Sequence, residues 1–350
     1  MTTAASITTH YEHFLSLLTR DAHGPARTPA AADSRDTVHA RYGERVDPSG
    51  GTQPIVLTRD EWIRNQIDLT LALDRLLTED DVVVSAVPYE LSFIGAEVDR
   101  VIEMVGASVI SVGTSGTICP MPRLLGLIEQ YEVTALVCSP RFAAELAGLA
   151  ESLGKRPQDT AIRRIICVGE VSSAERLDRI GTTWAARTCA LYGTPTAPTV
   201  AVTCEQGALH LCDHRLRAEV RGGWRGELLL DGIPTGEAVE LCPADHRCDC
   251  GSTSPVLVPL GSMTSAVRGP DGLVTALDVE RIVFGHGRLA PHFVCVLRDD
   301  TFHVTCAVPD PRAVDVGALR RAVRGGIGEA LGVEAEVTVV GVQDWSTATS

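Results

Sequence analysis

The chain has little positive charge. Among its 350 residues, 31 Lys and Arg stand against 45 Asp and Glu, which gives a formal net charge of −14. A general nucleic-acid binder needs a large basic face to neutralise phosphates, so this balance argues against a nucleic-acid partner. Lys155 is the one lysine of the sequence. Any mechanism that requires a lysine therefore has a single candidate.

Long apolar runs are missing too. No stretch approaches the roughly 20 apolar residues that cross a bilayer. The segment Met1–Thr19 lacks the basic start and apolar block of a secretion signal. We therefore expect a cytoplasmic, globular protein with no membrane partner. In a reducing compartment its 11 cysteines are expected to be thiols or metal ligands rather than disulfides.

The middle of the chain alternates short apolar runs with amphipathic segments. The apolar runs predict strands at Asp81–Ala86, Ala107–Val112, Val133–Cys138, Arg164–Val168 and Thr188–Leu191. Helical spacing predicts a long helix at Arg59–Leu77 and further helices at Ile94–Val105, Pro122–Tyr131, Arg141–Ser152 and Ser173–Ile180. Such alternation favours a mostly parallel sheet with helices on both faces.

The remaining segments complete an α/β fold class with a large and a small domain. Residues 1–50 are expected to form a short helix, near Tyr11–Thr19, and an irregular arm. Residues 51–198 form the α/β part of the large domain. Shorter strands and frequent turns after Thr196 predict a β-rich, zinc-stapled subdomain over 199–267. A helix–strand–strand–helix–strand order predicts a small α+β C-terminal domain over 270–350, after a hinge near Val267–Gly272.

The zinc expectation comes from cysteine and histidine spacing. Cys204 and His210 stand at the end of one short predicted strand and in the next, and Cys248 and Cys250 form a C-x-C pair in a turn-forming sequence. Three thiolates and one imidazole make a closed tetrahedral shell, which is structural because no position remains for water. Ordinary buried cysteines are the alternative. Other potential ligands leave the set of four open: Cys212, His214, Cys242 and His246.

The order of motifs along the chain resembles a known family. Leu191–Thr196 (LYGTPT) is followed by the Cys-x5-His motif, then by Gly226-Glu227-Leu228, Thr235-Gly236-Glu237 and the C-x-C pair. This order resembles the phenylacetate–CoA ligase branch of the adenylate-forming enzymes. The resemblance implies a carboxylate activated with ATP and Mg²⁺ to an acyl-adenylate and then transferred to coenzyme A. It also implies a small mobile C-terminal domain, a structural zinc and, often, a homodimer.

The resemblance also implies roles for individual residues. Ser49, Gly50, Gly51 and Thr52 match a shortened phosphate loop, whose backbone N–H groups and hydroxyls would face phosphate oxygens. Gly169 and Glu170 match the segment that lines the adenine pocket, and Tyr192, followed by Gly193, matches the aromatic that stacks on adenine. Glu237 matches the carboxylate that holds the ribose hydroxyls. The alternative for Tyr192 is a tyrosine that packs in the core at the end of a strand. The alternative for Glu170 and Glu237 is a solvated carboxylate in a turn.

Four departures from the family pattern concern ATP chemistry. The phosphate loop lacks the family's lysine. Thr196 stands where the family has a glutamate that helps to hold magnesium. A neutral threonine cannot supply the charge that a hard cation demands. Gly261-Ser262 replaces an arginine. The sequence ends at Ser350, before the segment that carries the family's C-terminal lysine. We therefore expect ATP or AMP binding with weakened adenylation and no regular Mg²⁺ site.

Three functional hypotheses follow. The first is a carboxylate-activating ligase with degraded ATP chemistry, in a specialised biosynthetic pathway. The second is an enzyme for ATP-independent acyl transfer or condensation, with Glu170, Tyr192, Thr196 and Glu237 as candidate groups and His214 or Cys138 as outside candidates. The third is a non-catalytic homologue that binds a small molecule or a partner enzyme. The expected ligand is a small carboxylic acid or acyl substrate, and a carrier protein or pathway enzyme is the expected macromolecular partner.

Overall fold

One eleven-stranded sheet forms the centre of the fold. The computed structural model describes residues 39–46, 52–195, 197–212, 217–242 and 248–349. The predicted helix at Tyr11–Thr19 lies outside these ranges. The described part of the chain contains these helices: α1 (Arg59–Leu73), α2 (Ile94–Met104), α3 (Met121–Gln130), α4 (Pro140–Ser152), α5 (Ala174–Trp184), α6 (Ala276–Gly285), α7 (Val316–Leu331) and α8 (Trp345–Ala348). No described helix combines the length and the apolar character that a membrane span requires.

The first two strands correct the prediction of an irregular arm. β1 (His39–Val46) pairs antiparallel with β2 (Thr52–Thr58), so the arm prediction is wrong for His39–Val46. Side chains of the second strand alternate between buried and exposed: Ile55 and Leu57 are buried, and Val56 is exposed. The turn between these strands lies outside the described residues. Thr58 caps α1 through its side chain, with Glu61 completing a capping box.

Five of the eleven strands of the large sheet run parallel, as predicted for this part of the chain. They are β3 (Val82–Ala86), β4 (Ser108–Ser111), β5 (Ala135–Cys138), β6 (Arg164–Cys167) and β7 (Arg187–Tyr192), which lie in the order β4-β3-β5-β6-β7. Each strand end is within two residues of the prediction. Alternate side chains enter two apolar cores: Val83 packs with α1 and α2 on one face, and Val84 packs with α3, α4 and α5 on the other.

The other half of the sheet is antiparallel and continues from β7 without a break. Its strands are β8 (Ala201–Thr203), β9 (Leu209–Leu211), β10 (Ala218–Arg221), β11 (Arg225–Leu230), β12 (Ile233–Cys242) and β13 (Val256–Ser262). β7 pairs antiparallel with β8, and the order continues β9-β13-β12-β11-β10. The β-rich region predicted over 199–267 is therefore a continuation of the main sheet. The strands β12 and β13 were not predicted.

The C-terminal module, residues 276–349, has the predicted order of elements. β16 (Phe293–Arg298) and β17 (Thr301–Val308) form an antiparallel pair, and β18 (Ala335–Gly341) pairs with β17 in parallel. Helices α6 and α7 cover this sheet and share its apolar core. The predicted hinge region lies in a short hairpin of β14 (Val267–Gly269) and β15 (Gly272–Val274). Leu277 of α6 also packs with Ala238 and Leu260 of the large sheet.

Candidate functional site

A cavity of about 660 Å³ lies beside the carboxyl ends of β6 and β7. Ligands of open α/β sheets bind at this edge, outside the carboxyl ends of parallel strands. Five of the residues predicted for a nucleotide site line the cavity: Gly169, Glu170, Tyr192, Gly193 and Glu237. They come from three separated segments of the chain. The fold therefore brings together residues whose association was predicted from motif order alone.

The other predicted site residues divide into two groups. Thr52 begins β2, is exposed and does not line the cavity. The remaining residues lie outside the described part of the chain: Ser49, Gly50, Gly51, Thr196 and His214. Their predicted roles stay predictions.

Gly193 occupies a position with no room for a side chain. A Cβ atom at this residue would overlap the carbonyl oxygen of Pro198. The loop turns back on itself at this point, because the Thr194 N–H donates to the Ala197 carbonyl at 2.8 Å and the Ala197 N–H donates to the Thr194 carbonyl at 3.1 Å. The glycine is thus required for the turn that follows Tyr192 into the cavity wall.

Glu170 is held by a buried arginine. Arg176 of α5 is 0% exposed and donates from Nη1 to the Glu170 carboxylate at 2.6 Å. Burial would lower the pKa of the guanidinium, but the Glu170 and Glu280 carboxylates outweigh this effect and raise the pKa of Arg176. Glu170 also accepts the Arg141 N–H at the start of α4, at 3.1 Å. These contacts fix the Glu170 carboxylate at the cavity wall, and its predicted roles in catalysis and in ligand contact stay predictions.

Tyr192 presents a neutral phenol. Its hydroxyl is buried and has no hydrogen-bond partner among the described residues. Burial, and then the negative charge of Glu237, raise the pKa of the Tyr192 hydroxyl. Glu237 stands on β12 opposite Ser262 of β13. The segment Gly261-Ser262, where the resemblance implies an arginine, therefore lies beside this carboxylate on the neighbouring strand.

Cys138 is unsuited to nucleophilic chemistry. Its side chain is 0% exposed at the end of β5. Burial, reinforced by Glu170, raises the pKa of the Cys138 thiol to about 12. Because the thiolate is the reactive form of cysteine, this residue stays protonated and inert at neutral pH. The outside candidacy of Cys138 is thus wrong.

The charged side chains around the cavity are mostly acidic. Among the described lining residues, the charged ones are Glu44, Glu170, Glu175, Glu237 and Arg281. Glu170 pairs with the buried Arg176. The lining is therefore a poor match for the several negative charges of a triphosphate.

The four predicted metal ligands meet at one point. Cys204, His210, Cys248 and Cys250 each place a ligand atom within 4.8 Å of the other three. The sulfur atoms of Cys204 and Cys248 are 3.7 Å apart, and the Cys250 sulfur is 3.4 Å from the His210 Nε2. A tetrahedral zinc with ordinary bond lengths separates two sulfurs by about 3.8 Å, and a sulfur from a nitrogen by about 3.5 Å. The donor set and its spacing therefore fit a metal ion.

Local structure orients these ligands. The His210 Nδ1 atom is 2.8 Å from the Ser254 carbonyl oxygen, an arrangement that directs Nε2 toward the cysteines. Cys204 and His210 flank the tight turn between β8 and β9, while Cys248 and Cys250 follow in a separate turn. Of the other potential ligands, Cys212 packs against the apolar core. His214 and His246 lie outside the described residues.

Sequence reasoning missed an ionic contact next to the cavity. Glu280 of α6 is 3% exposed and accepts the Ser173 N–H at 2.6 Å and the Ser172 hydroxyl at 3.0 Å. Its other oxygen is 3.4 Å from Arg176, which also donates from Nε to the Pro291 carbonyl at 2.9 Å. From the sequence alone, an arginine in a helix is expected to be exposed to solvent. Two partners of Arg176, Glu280 and Pro291, lie about 100 positions away in the chain, so no local pattern predicts these contacts.

No protein-family model matches the chain, and no curated protein matches its sequence. Solved structures do match. One is a 2-hydroxyisobutyryl-CoA ligase in its postadenylation state with 2-HIB-AMP: the TM-score is 0.72 at 15% identity, over 87% of this chain and 70% of the ligase. The score is 0.57 for the same ligase in its thioesterification state.

Two other matches are enzymes with different activities. A benzoate CoA ligase from Burkholderia xenovorans LB400 matches with a TM-score of 0.62 at 15% identity, over 89% of this chain and 67% of the ligase. An amide bond synthetase from Marinactinospora thermotolerans matches with 0.59 at 16% identity, over 94% of this chain and 74% of the synthetase. At these identities the likeness extends to the fold, and the phenylacetate–CoA ligase branch stays a prediction. The chain has the fold of the adenylate-forming acyl- and aryl-CoA ligases.

Proposed function

We propose that this protein is a carboxylate-activating enzyme that binds a small carboxylic acid as its adenylate and forms that adenylate from ATP slowly. The proposal rests on one observation: a single cavity is lined by Gly169-Glu170, Tyr192-Gly193 and Glu237. The adenylates bound in similar solved structures, such as 2-HIB-AMP, indicate the kind of ligand that this fold accommodates.

In this proposal each wall has a role in binding. The ring of Tyr192 provides a flat apolar surface for adenine, next to the Gly169-Glu170 backbone. Glu237 supplies an acceptor for the ribose hydroxyls, as a carboxylate one methylene longer than the family's aspartate. The apolar lining residues, which include Phe93 and Ile94, would receive the acyl group.

The reaction itself would be a displacement at the α-phosphorus of ATP. A carboxylate oxygen of the acid forms the new bond to phosphorus as the bond to pyrophosphate breaks, and negative charge accumulates on the phosphate oxygens. Cationic groups that stabilise this charge lower the barrier, and each missing one costs several kcal/mol. Thr196 and the pair Gly261-Ser262 are neutral where the resemblance implies charged groups. Adenylation is therefore expected to be slow.

The acidic lining favours a second candidate, ATP-independent acyl transfer. An acyl group that arrives already activated needs no triphosphate, and the lining carries four carboxylates: Glu44, Glu170, Glu175 and Glu237. In that case the same cavity would hold the acyl donor, and an acceptor would displace its leaving group.

We also propose that the Cys204, His210, Cys248 and Cys250 cluster holds a structural zinc. All four ligands come from the protein, which leaves no position for water, and the ion would supply a cross-link rather than catalysis. It would join the β8–β9 turn to the turn that precedes β13.

The test of the main proposal is carboxylate-dependent exchange of labelled pyrophosphate into ATP, across a panel of aromatic, hydroxy and amino acids. Exchange that depends on one acid and falls in Glu237→Ala supports adenylation, with Glu219→Ala, a carboxylate on β10 outside the cavity, as the matched control. No exchange with any acid, together with turnover of a preformed acyl thioester, would replace the first candidate by the second. Neither activity would contradict both.

A further inference from the structure

Helix α6 of the C-terminal module forms one wall of the cavity. Leu277 and Arg281 lie one helical turn apart and both line it. Leu277 is 4% exposed and packs with Ala238 and Leu260, so this face of the helix is fixed against the large sheet. Arg281 is therefore presented to the cavity by a rigid element.

The carboxylates nearest to Arg281 are already engaged by another arginine. Arg225 donates to Asp278 at 2.5 Å and also to Glu240. Arg281 Nη1 lies 3.6 Å from Asp278 and 3.8 Å from Glu240, which is beyond hydrogen-bond distance. Among the described residues, Arg281 thus makes two long ion pairs and no hydrogen bond. Its five N–H donors stay available to a ligand.

The charge of Arg281 is distinctive at this site. It is the one guanidinium among the described residues that line the cavity, and the other charged lining residues are carboxylates. An anionic group that enters the cavity is repelled by those carboxylates and has one complementary partner. A planar guanidinium is also the side chain best shaped to bind a carboxylate or phosphate through two hydrogen bonds.

Two contacts keep this helix in place. Glu280, the residue before Arg281, bonds to Ser172 and Ser173 at the start of α5. Arg179 of α5 donates to the carbonyls of Phe284 at 2.7 Å and His286 at 2.8 Å, at the end of α6. The middle and the C-terminal end of α6 are thus tied to the large domain, and Arg281 stays at the cavity wall.

We propose that Arg281 is the anion-binding residue of the cavity and pairs with the phosphate or carboxylate of the bound ligand. This inference rests on the proposed function and adds a residue to it. Arg281 would supply, from the C-terminal module, positive charge that the family pattern places at other positions. Its partner on the ligand is defined by chemistry, an oxyanion with two accepting oxygens.

The experiment is calorimetric titration of the full chain with AMP, benzoate and adenosine, which separates phosphate, carboxylate and uncharged nucleoside. Arg281→Gln is expected to weaken AMP or benzoate binding roughly 10- to 100-fold, the loss typical of a charge-assisted hydrogen bond. Adenosine affinity should change less than about twofold. Arg281→Lys should fall between wild type and Arg281→Gln. Arg298→Gln, an exposed arginine on β16 of the same module, is the matched control.

The outcomes are distinguishable. Unchanged binding of the anions by Arg281→Gln overturns the role of Arg281 and leaves the proposed function intact. An equal loss for adenosine also overturns it, because the residue would then act on the shape of the site rather than on charge. A wild-type protein that binds none of the three probes overturns both this inference and the proposed function. Thermal unfolding of each variant verifies folding.

Discussion

Replacing Glu280 with alanine is expected to destabilise the protein by about 3–5 kcal/mol, the typical loss when one member of a buried ion pair is removed. Arg176 would lose the carboxylate at 3.4 Å, and the Ser173 N–H would lose its acceptor at 2.6 Å. The guanidinium is 0% exposed, so water cannot replace the lost partner in the folded state.

Part of the charge stays compensated. Glu170 lies 2.6 Å from Arg176, and the substitution leaves this carboxylate in the chain. The expected loss therefore lies nearer to the lower end of the range. Glu280→Gln retains an acceptor for the Ser173 N–H and should cost less than the alanine variant, so it provides a readable result if Glu280→Ala does not fold.

The assay is urea unfolding followed by circular dichroism, with the midpoint and slope compared between variants. Glu336→Ala is the matched control, because this carboxylate lies in the same module, is 73% exposed and pairs with His303 at 3.2 Å. An exposed pair of this kind contributes about 0–1 kcal/mol. A loss at Glu280 no larger than the loss at Glu336 would refute the structural importance of the buried contact.

A double variant tests the cause of the loss. Replacing a buried ion pair with apolar residues of similar volume is often neutral or stabilising. Arg176→Met with Glu280→Leu should therefore recover part of the stability lost in Glu280→Ala. A double variant that is less stable than the single one would show that lost packing, rather than an unpaired buried charge, causes the effect.

Three other predictions concern separate features. Cys248→Ser should reduce the bound zinc from about one ion per chain, as measured by elemental analysis, and lower the melting temperature, as measured by calorimetry. The control Cys212→Ser should retain the ion. Equal zinc content in the two variants would contradict the metal site. Burial raises the pKa of the Glu97 carboxyl from 4.5 to about 7. The preference of the folded protein for the protonated carboxyl therefore contributes fully to stability below about pH 4.5, and this contribution is lost as the pH rises through 7. As the pH rises from 4.5 to 7, the unfolding free energy of Glu97→Gln should increase by about 3 kcal/mol relative to that of wild type. The same pH dependence of the unfolding free energy in both proteins would contradict this. Gly193→Ala should lower ligand binding and the melting temperature, because the added Cβ overlaps Pro198; a variant that matches wild type in both would show that the turn adapts.

The elements that could be predicted are those with a strong local pattern. The parallel strands were predicted because buried Val and Ile runs alternate with amphipathic helices. The long strand β12 was missed because its residues Ile233–Cys242 begin with a Pro-Thr-Gly turn signal and continue with mixed burial. Continuity of the sheet through β7 and β8 depends on pairing, which single segments do not reveal.

The candidate site divides in the same way. Cys204 and His210 could be predicted because a short hairpin fixes their distance, and a C-x-C turn provides the remaining ligands. Tyr192 and Glu237 followed from motif order. The proposed anion-binding role of Arg281 could not be predicted from the sequence, because it depends on the bonds that Arg225 forms with the neighbouring carboxylates. Such competition between charges exists only after folding.

The most direct test of the nucleotide cavity is calorimetric titration of the protein with a non-hydrolysable acyl-sulfamoyl adenosine, in parallel with ATP and Mg²⁺. We predict one binding site per chain, tighter binding of the adenylate mimic than of ATP, and a weaker affinity in Glu237→Ala. Absence of binding by the mimic, or binding that is indifferent to Glu237, would contradict the assignment of the cavity to an acyl-adenylate.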